Sequence, residues 1–173
     1  MGLIHIYCGD GKGKTTAAIG LGVRAAGSGM KVHIIQLLKG SETSELDSLM
    51  LIPNITVERC KRDYGFTFNM TEEDKKAQTA EHNQMLLYGE RLMQTGEADL
   101  LIIDEFCAAY EYGYIDKSLA DRIVLKKPEK AELVLTGRNP AQKFIDAAHY
   151  VSEIKAVKHP FDLGINARKG IEY

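Results

Sequence analysis

The chain has 173 residues, of which 45% are hydrophobic, and a formal net charge of −2 with both signs interspersed along the sequence. This length and hydrophobic content suit one domain, residues 1–173, that can bury a core of its own. The charge balance lacks the large positive field that nonspecific binding to nucleic acid or to a membrane surface requires, so we expect neither partner.

Short apolar segments alternate with helical patterns along the whole chain. Six apolar segments predict strands, at residues 3–8, 31–38, 55–57, 100–103, 132–135 and 150–154. Helical patterns and caps predict helices at 14 to 27–29, 71–95 and 116–126, and a short one starting at 139–140. The stretches 40–53, 61–70, 106–115 and 159–173 are expected to be irregular. Several strands are apolar on both faces, which predicts an α/β fold with a mostly parallel six-stranded sheet and helices on both faces.

A glycine-rich loop follows the first predicted strand. It reads Cys8-Gly9-Asp10-Gly11-Lys12-Gly13-Lys14-Thr15-Thr16. In such a loop the glycines turn backbone N–H groups toward a polyphosphate, Lys14 supplies a cation and Thr15 offers a hydroxyl to Mg²⁺. The usual pattern G-x-x-x-x-G-K-[ST] needs glycine where this chain has Cys8, so the loop is a variant. We therefore predict a nucleoside triphosphate site and a single-domain P-loop NTPase-like (RecA-like) fold.

Two acids end the fourth predicted strand. Asp104 and Glu105 follow the apolar segment 100–103. We expect this strand to lie beside the first one and to bring one of the two carboxylates to the metal held by Thr15. The alternative is that either acid only caps the next helix or turn.

Three further features are candidates for ligand contact. Arg138 follows the fifth predicted strand, where its fork could clamp a phosphate or pair with a surface carboxylate. The polar loop 61–70 carries aromatic residues that form either an apolar wall for a flat ligand or a satellite core. His159, beside Lys158 in the tail, is the one histidine that we expect to contact a ligand.

The cysteines and the apolar runs predict where the protein resides. Cys8, Cys60 and Cys107 lie far apart with no C-x-x-C pair, which argues against a disulfide framework and against a zinc ribbon. No apolar run approaches the roughly 20 residues of a membrane span, and no signal peptide is recognisable. These features favour a soluble cytoplasmic protein.

Taken together, these motifs resemble the P-loop type of ATP:corrinoid adenosyltransferases, which make adenosylcobalamin. The resemblance rests on residues 9–18, Gln36, 39–40, 65–68, 104–105, 136–138, 151–153 and 157–162, and on Gly164, Gly170 and Tyr173. The tail is the most discriminating part, because P-loops are shared by many unrelated enzymes.

The resemblance implies transfer of the 5′-deoxyadenosyl group of ATP to cobalt(I) of a corrinoid, with release of triphosphate. The whole triphosphate is then the leaving group, so Lys14, Arg138 and Mg²⁺ (or Mn²⁺) would stabilise charge rather than move protons. The implied metal ligands are Thr15 and Glu105, with Asp104 open as a second candidate. The implied ATP contacts are the loop from Gly9 to Thr16 together with Arg138, Lys158 and His159.

The aromatic loop also acquires a role by resemblance. In the family, two aromatic residues press on the lower face of the corrin, displace its axial ligand and ease reduction of cobalt(II). Phe66 matches the first, and Phe68 stands where the family commonly has tryptophan. The resemblance further implies a homodimer and a flavoprotein or reduced-flavin electron donor.

Two other functions remain open at the level of sequence. A small-molecule kinase or NTPase would need a residue that orients an attacking hydroxyl or water, and the sequence nominates none clearly. A non-catalytic module switched by ATP would use loops such as 40–53 and bind the nucleotide without turnover.

Overall fold

Six parallel strands form one sheet in the computed structural model, which describes residues 1–39, 43–62, 64 and 70–171. The strands are β1 (Ile4–Cys8), β2 (Val32–Gln36), β3 (Ile55–Arg59), β4 (Leu100–Asp104), β5 (Glu132–Thr136) and β6 (Tyr150–Glu153). Their spatial order is β3-β2-β4-β5-β1-β6, and every pairing is parallel. The six predicted strands and the α/β class are therefore confirmed.

One prediction about strand order is wrong. The acid-ended strand β4 does not lie beside β1, because β5 pairs with both of them and separates them. The two strands still end at the same edge of the sheet, since all six run parallel. Loops at that edge can therefore bring their residues together across β5.

Helices cover both faces of the sheet. They are α1 (Lys14–Gly27), α2 (Glu45–Leu49), α3 (Glu72–Thr95), α4 (Phe106–Glu111), α5 (Lys117–Leu125) and α6 (Gln142–Ala147), with a 3₁₀ helix at Pro160–Leu163. The long helix α3 begins as predicted, because Thr71 and Asp74 form a reciprocal capping box at its start. The shorter α5 begins at an Asp116 carboxylate that accepts from the Leu119 N–H at 2.7 Å.

Three short helices were not predicted. Helix α2, helix α4 and the 3₁₀ helix fall in the stretches 40–53, 106–115 and 159–173, which were expected to be irregular. Helix α6 begins at Gln142 rather than at 139–140, because Ala141 keeps an extended backbone (φ −62°, ψ 141°). Helices of four to six residues make fewer than two turns, so their apolar positions do not repeat.

Alternate residues of the central strands pack into two separate hydrophobic cores, one on each face of the sheet. On one face Ile34, Ile102 and Val134 pack with the small residues of α1. On the other face Leu101 and Ile103 pack beneath α3, α4 and α5. Each fully buried Ile or Leu contributes roughly 1.5–3 kcal/mol, so the two cores stabilise the sheet that carries the loops at its carboxyl edge. Among the described residues, no helix is both long enough and apolar enough to cross a membrane.

Candidate active site

The glycine-rich loop has a backbone that only glycine adopts easily. Gly9 has φ +104° and Gly13 has φ +119°, both in the left-handed region, and α1 begins immediately after Gly13. A Cβ on Gly9 would clash with the carbonyl oxygen of Ile154. Gly9 lies one residue after Cys8, the position where the usual pattern has glycine, and its backbone requires a glycine there.

The segment that continues β6 lies against this loop. The Ile154 N–H donates to the Cys8 carbonyl at 2.8 Å, and the Gly11 N–H donates to the Ile154 carbonyl at 2.8 Å. The Asp10 carboxylate accepts from the Ala156 N–H at 3.2 Å, and this hydrogen bond is the main cause that lowers the pKa of Asp10. These contacts fix the loop to the last strand of the sheet, and Asp10 is one of the anchors.

A cleft of about 520 Å³ opens beside the loop. Its walls come from the loop, the start of α1, the segment after β2, α2, and the tail. The lining residues are Lys12, Gly13, Lys14, Thr15, Thr16, Ile19, Lys39, Thr43, Ser44, Glu45, Ser48, Glu105, Gly170 and Ile171. Three lysines and a helix N-terminus thus face one space, which is suited to a polyphosphate. The tail residues Gly170 and Ile171 also line this cleft, and Gly170 is one of the tail residues on which the resemblance rests.

Asp104 lies at the bottom of the site and is 1% exposed. It accepts hydrogen bonds from the hydroxyls of Thr15, at 2.9 Å, and Thr136, at 2.6 Å. It also pairs with the Lys39 ammonium at 2.6 Å. A buried carboxylate needs such partners, and with three donors this one is well compensated.

Glu105 faces the cleft from an unusual backbone position. Its φ is +59°, its N–H donates to the Thr136 hydroxyl at 2.9 Å, and it lines the cleft. Burial, and then the charge of Asp104, raise the pKa of its carboxyl. Glu105 and the Thr15 hydroxyl thus offer two oxygen ligands on one wall, a donor set that fits Mg²⁺, which typically binds one or two carboxylates plus phosphate oxygens.

The other predicted site residues are placed differently. The ammonium of Lys14 donates to the Gly11 carbonyl at 2.8 Å, within the loop. Arg138 is exposed at the end of β5, and its carbonyl accepts from the Gly9 N–H at 3.3 Å. Lys158 and His159 are part of the tail rather than of the cleft lining, and His159 Nδ1 accepts from the Phe161 N–H at 3.2 Å.

The two aromatic residues of the predicted wedge, Phe66 and Phe68, lie outside the described residues. The segment leading to them is described as far as Arg62, and Tyr64 is also described. Glu81 of α3 accepts from the Lys61 N–H at 2.6 Å and from the Tyr64 hydroxyl at 3.3 Å. The start of the aromatic loop is therefore tied to α3.

Two residues of the site had no role in the sequence analysis. Lys39 and Thr136 belonged to the matching motifs, but only the structure shows both of them on Asp104. A signal existed, since Lys39 follows β2 and Thr136 ends β5, the two strands that flank β4. The positions of Lys39 and Thr136 indicate a contact with Asp104 only once the order of the strands is known.

A second cavity of about 680 Å³ adjoins the cleft and shares Thr43 and Ser44 with it. Helix α2, strand β3 and the tail residue Lys169 form its walls. Its lining mixes apolar side chains with Asp47, Arg59 and Lys169. The cavity extends the space next to the polyphosphate cleft.

The glycine-rich loop joins the first strand to the first helix at the carboxyl edge of a parallel sheet, and this makes the protein P-loop NTPase-like. Within that class, the model of the family described as ATP:corrinoid adenosyltransferase BtuR/CobO/CobP matches residues 1–173. The chain belongs to this family. The resemblance drawn from the sequence is thereby confirmed.

Named relatives agree with the family match. A corrinoid adenosyltransferase of Escherichia coli (strain K12) is 32% identical over 172 residues, covering 99% of this chain and 86% of that protein. The corrinoid adenosyltransferase CobA of Salmonella typhimurium is 33% identical, with coverage of 99% and 86%. A corrinoid adenosyltransferase of Pseudomonas aeruginosa is 32% identical, with coverage of 99% and 84%.

Proposed function

We propose that this protein transfers the 5′-deoxyadenosyl group of ATP to cobalt(I) of a corrinoid and releases triphosphate. The observation that carries the proposal is the cleft in which Lys12, Lys14 and Lys39 meet Thr15 and Glu105, in a chain that belongs to the corrinoid adenosyltransferase family. The relatives named above all carry the name of this activity. The corrinoid is either complete cobalamin or a precursor such as cobyrinic acid a,c-diamide.

The proposed reaction requires stabilisation of the negative charge on the leaving triphosphate and does not require a general base. The electron pair of cobalt(I) forms the bond to C5′ of the ribose, and the C5′–O bond breaks with its electrons on the triphosphate. No proton moves in this step. Lys14 and the loop N–H groups stabilise the departing charge, and Arg138 approaches the far phosphate. A preorganised donor of this kind contributes roughly 3 kcal/mol to the transition state.

Thr15 and Glu105 are the residues that would hold Mg²⁺ (or Mn²⁺). The ion, when bound, neutralises negative charge on the phosphates. Asp104 supports the site from behind, because it accepts the Thr15 hydroxyl hydrogen and leaves the hydroxyl lone pairs for the metal. These contacts support the proposal that Glu105 binds the metal directly and that Asp104 orients Thr15.

The finer parts of the proposal rest on the resemblance. Phe66 and Phe68 press on the lower face of the corrin, and a flavoprotein or reduced flavin supplies the electron that makes cobalt(I). The protein acts as a homodimer in the cytoplasm, in adenosylcobalamin biosynthesis or salvage. The remaining ATP contacts, Lys158 and His159, belong to the same expectation.

The decisive experiment is a product analysis. The protein is incubated with ATP, Mg²⁺, a corrinoid and a strong chemical reductant, and both products are quantified. We expect a light-sensitive cobalt–carbon product and one triphosphate per turnover. Lys14→Ala should lose this activity, whereas Lys130→Ala, an exposed lysine ahead of β5, should keep it. ADP and phosphate as products would instead identify a kinase or NTPase, and ATP binding without turnover would identify a binding module.

A further inference from the structure

His82 is a fully buried histidine with a backbone partner on each ring nitrogen. It lies in α3 and is 0% exposed. Its Nε2 accepts from the Leu38 N–H at 3.2 Å, and its Nδ1 lies 2.9 Å from the Tyr114 carbonyl. Because an amide N–H only donates and a carbonyl only accepts, the ring must carry its proton on Nδ1. The contacts therefore fix one neutral tautomer.

The partner of Nε2 belongs to a strained turn that leads to the site. Leu38 has φ +57°, a left-handed conformation that residues with a side chain rarely adopt. The preceding Leu37 N–H donates to the Asp104 carbonyl at 3.2 Å. The following Lys39 then reaches the Asp104 carboxylate, 2.6 Å from its ammonium. Leu38 is thus the turning point that directs Lys39 to the cleft.

We propose that His82 is a positioning residue for the nucleotide site. It holds the turn at Leu38 and so places the ammonium of Lys39 where it contacts the triphosphate. Lys39 is correspondingly a third cationic contact beside Lys12 and Lys14. This inference rests on the proposed function for the identity of the ligand, but the coupling of His82 to Lys39 can be measured without a corrinoid.

The test is a double-mutant cycle on the affinity for inorganic triphosphate with Mg²⁺, measured by calorimetry. Lys39→Met should weaken binding about tenfold, the loss of one charge-assisted hydrogen bond. His82→Leu should weaken it by a similar factor in the parent protein and have almost no further effect in Lys39→Met. His82→Gln should recover most of the affinity, because its amide oxygen can accept from the Leu38 N–H.

His33→Leu is the matched control. His33 is also a buried histidine, 4% exposed, but it lies in β2 and contacts the Thr56 hydroxyl at 2.8 Å. Its effect on triphosphate affinity should be small and the same with or without Lys39. Urea unfolding of each variant confirms that the folded fraction is unchanged at the assay temperature.

Two outcomes overturn the proposal. One is an equal loss from His82→Leu in the parent and in Lys39→Met, which would make His82 independent of Lys39. The other is unchanged triphosphate affinity in folded His82→Leu. Corrinoid turnover is measured separately, so a coupled cycle without any cobalt–carbon product would reject the proposed function and leave the positioning role standing.

Discussion

The hydroxyl of Thr15 donates to the carboxylate of Asp104, with distances of 2.9 and 3.1 Å to its two oxygens. The two residues belong to α1 and β4, which are brought together across the intervening strand β5. Because the hydrogen points at Asp104, the lone pairs of the hydroxyl are left for a ligand in the cleft. Asp104 thus orients the residue that would bind the metal.

Asp104→Asn should therefore be strongly impaired in turnover. The carboxylate accepts hydrogen bonds from two hydroxyls and an ammonium group, whereas the asparagine amide would point N–H groups at these donors. A buried donor that faces another donor costs about 2–3 kcal/mol. We expect kcat/KM for ATP to fall about 100-fold. Asp99→Asn is the control at the opposite end of β4, since its carboxylate accepts from the exposed Lys31 N–H. Equal activity of the two variants would contradict the orienting role.

Glu105→Gln should change the magnesium requirement. Loss of a carboxylate that contacts the metal is expected to raise the Mg²⁺ concentration for half-maximal activity about tenfold or more, since even outer partners of a metal site have effects of that size. The measurement is a Mg²⁺ titration at fixed ATP. Glu111→Gln, at the end of α4, is the matched control. The Glu111 carboxylate accepts a hydrogen bond from the Asn139 amide and does not line the cleft. An unchanged half-saturation in Glu105→Gln would place the metal elsewhere.

Gly9→Ala should damage the loop, and Gly20→Ala should not. A side chain on Gly9 meets the Ile154 carbonyl and must adopt φ +104°, so we expect ATP binding to be lost and the free energy of unfolding to fall by about 2 kcal/mol or more. Gly20 is helical and has open space around it, so alanine should stabilise by about 0.5–1 kcal/mol. Calorimetry and urea unfolding measure both effects. Normal ATP affinity of Gly9→Ala would mean that the loop tolerates a side chain there.

The buried His33 should make the protein less stable in mild acid. Burial lowers the pKa of His33 from 6.5 to about 4, so the unfolded chain binds a proton that the folded protein does not. Its contribution to stability is present above pH 6.5 and is lost as the pH falls toward 4. Between pH 6.5 and 5 the loss is about 1.5 kcal/mol.

Urea unfolding of His33→Gln at several pH values tests this assignment. The variant should lose much of the pH dependence of stability between pH 6.5 and 5. His159→Gln, at a partly buried histidine of the tail, should keep it. His82, whose pKa burial also lowers, should leave a residual slope in the same direction. An unaltered slope in His33→Gln would assign the acid sensitivity to other groups.

Phe66→Ala should separate reduction from transfer. With cobalt(I) supplied chemically, the variant should retain activity, because the wedge acts before the transfer step. With a flavoprotein as the electron source, activity should be lost, since the cobalt(II) centre keeps its axial ligand. Phe161→Ala, which removes a tail side chain that is 78% exposed, is the control. Equal losses in the two assays would make Phe66 a packing residue.

The strands were predictable because buried strands consist mostly of apolar residues, which are recognisable in the sequence. Strands β2 and β4 are buried at every position. Four of the five residues of β4 are apolar, and three of the five residues of β2 are apolar beside the buried His33 and Gln36. The long helix α3 was equally predictable, because its start has a capping box at Thr71 and its end has a glycine, Gly96. Helices α2 and α4, of five and six residues, were missed because no periodic pattern can establish itself over so short a length.

The site was predictable only where its residues form local motifs. Thr15 and the pair Asp104-Glu105 each belong to a recognisable motif, so the sequence predicted that one of the two carboxylates would lie near Thr15. It did not predict the strand order. Lys39 and Thr136 both contact Asp104 because β2 and β5 lie on either side of β4. The sequence of a single strand does not show which strands will be its neighbours. The turn at Leu38 and its contact with His82 depend on residues 44 positions apart, which no spacing rule connects.

The attachment of the glycine-rich loop to Ile154 and Ala156 has a consequence for synthesis of the chain. The loop leaves the ribosome well before its backbone partners, which lie more than 140 residues later in the chain. Contacts so distant along the chain form late in folding. A nascent chain should therefore be unable to retain ATP until β6 has emerged, so that nucleotide binding reports completion of the sheet.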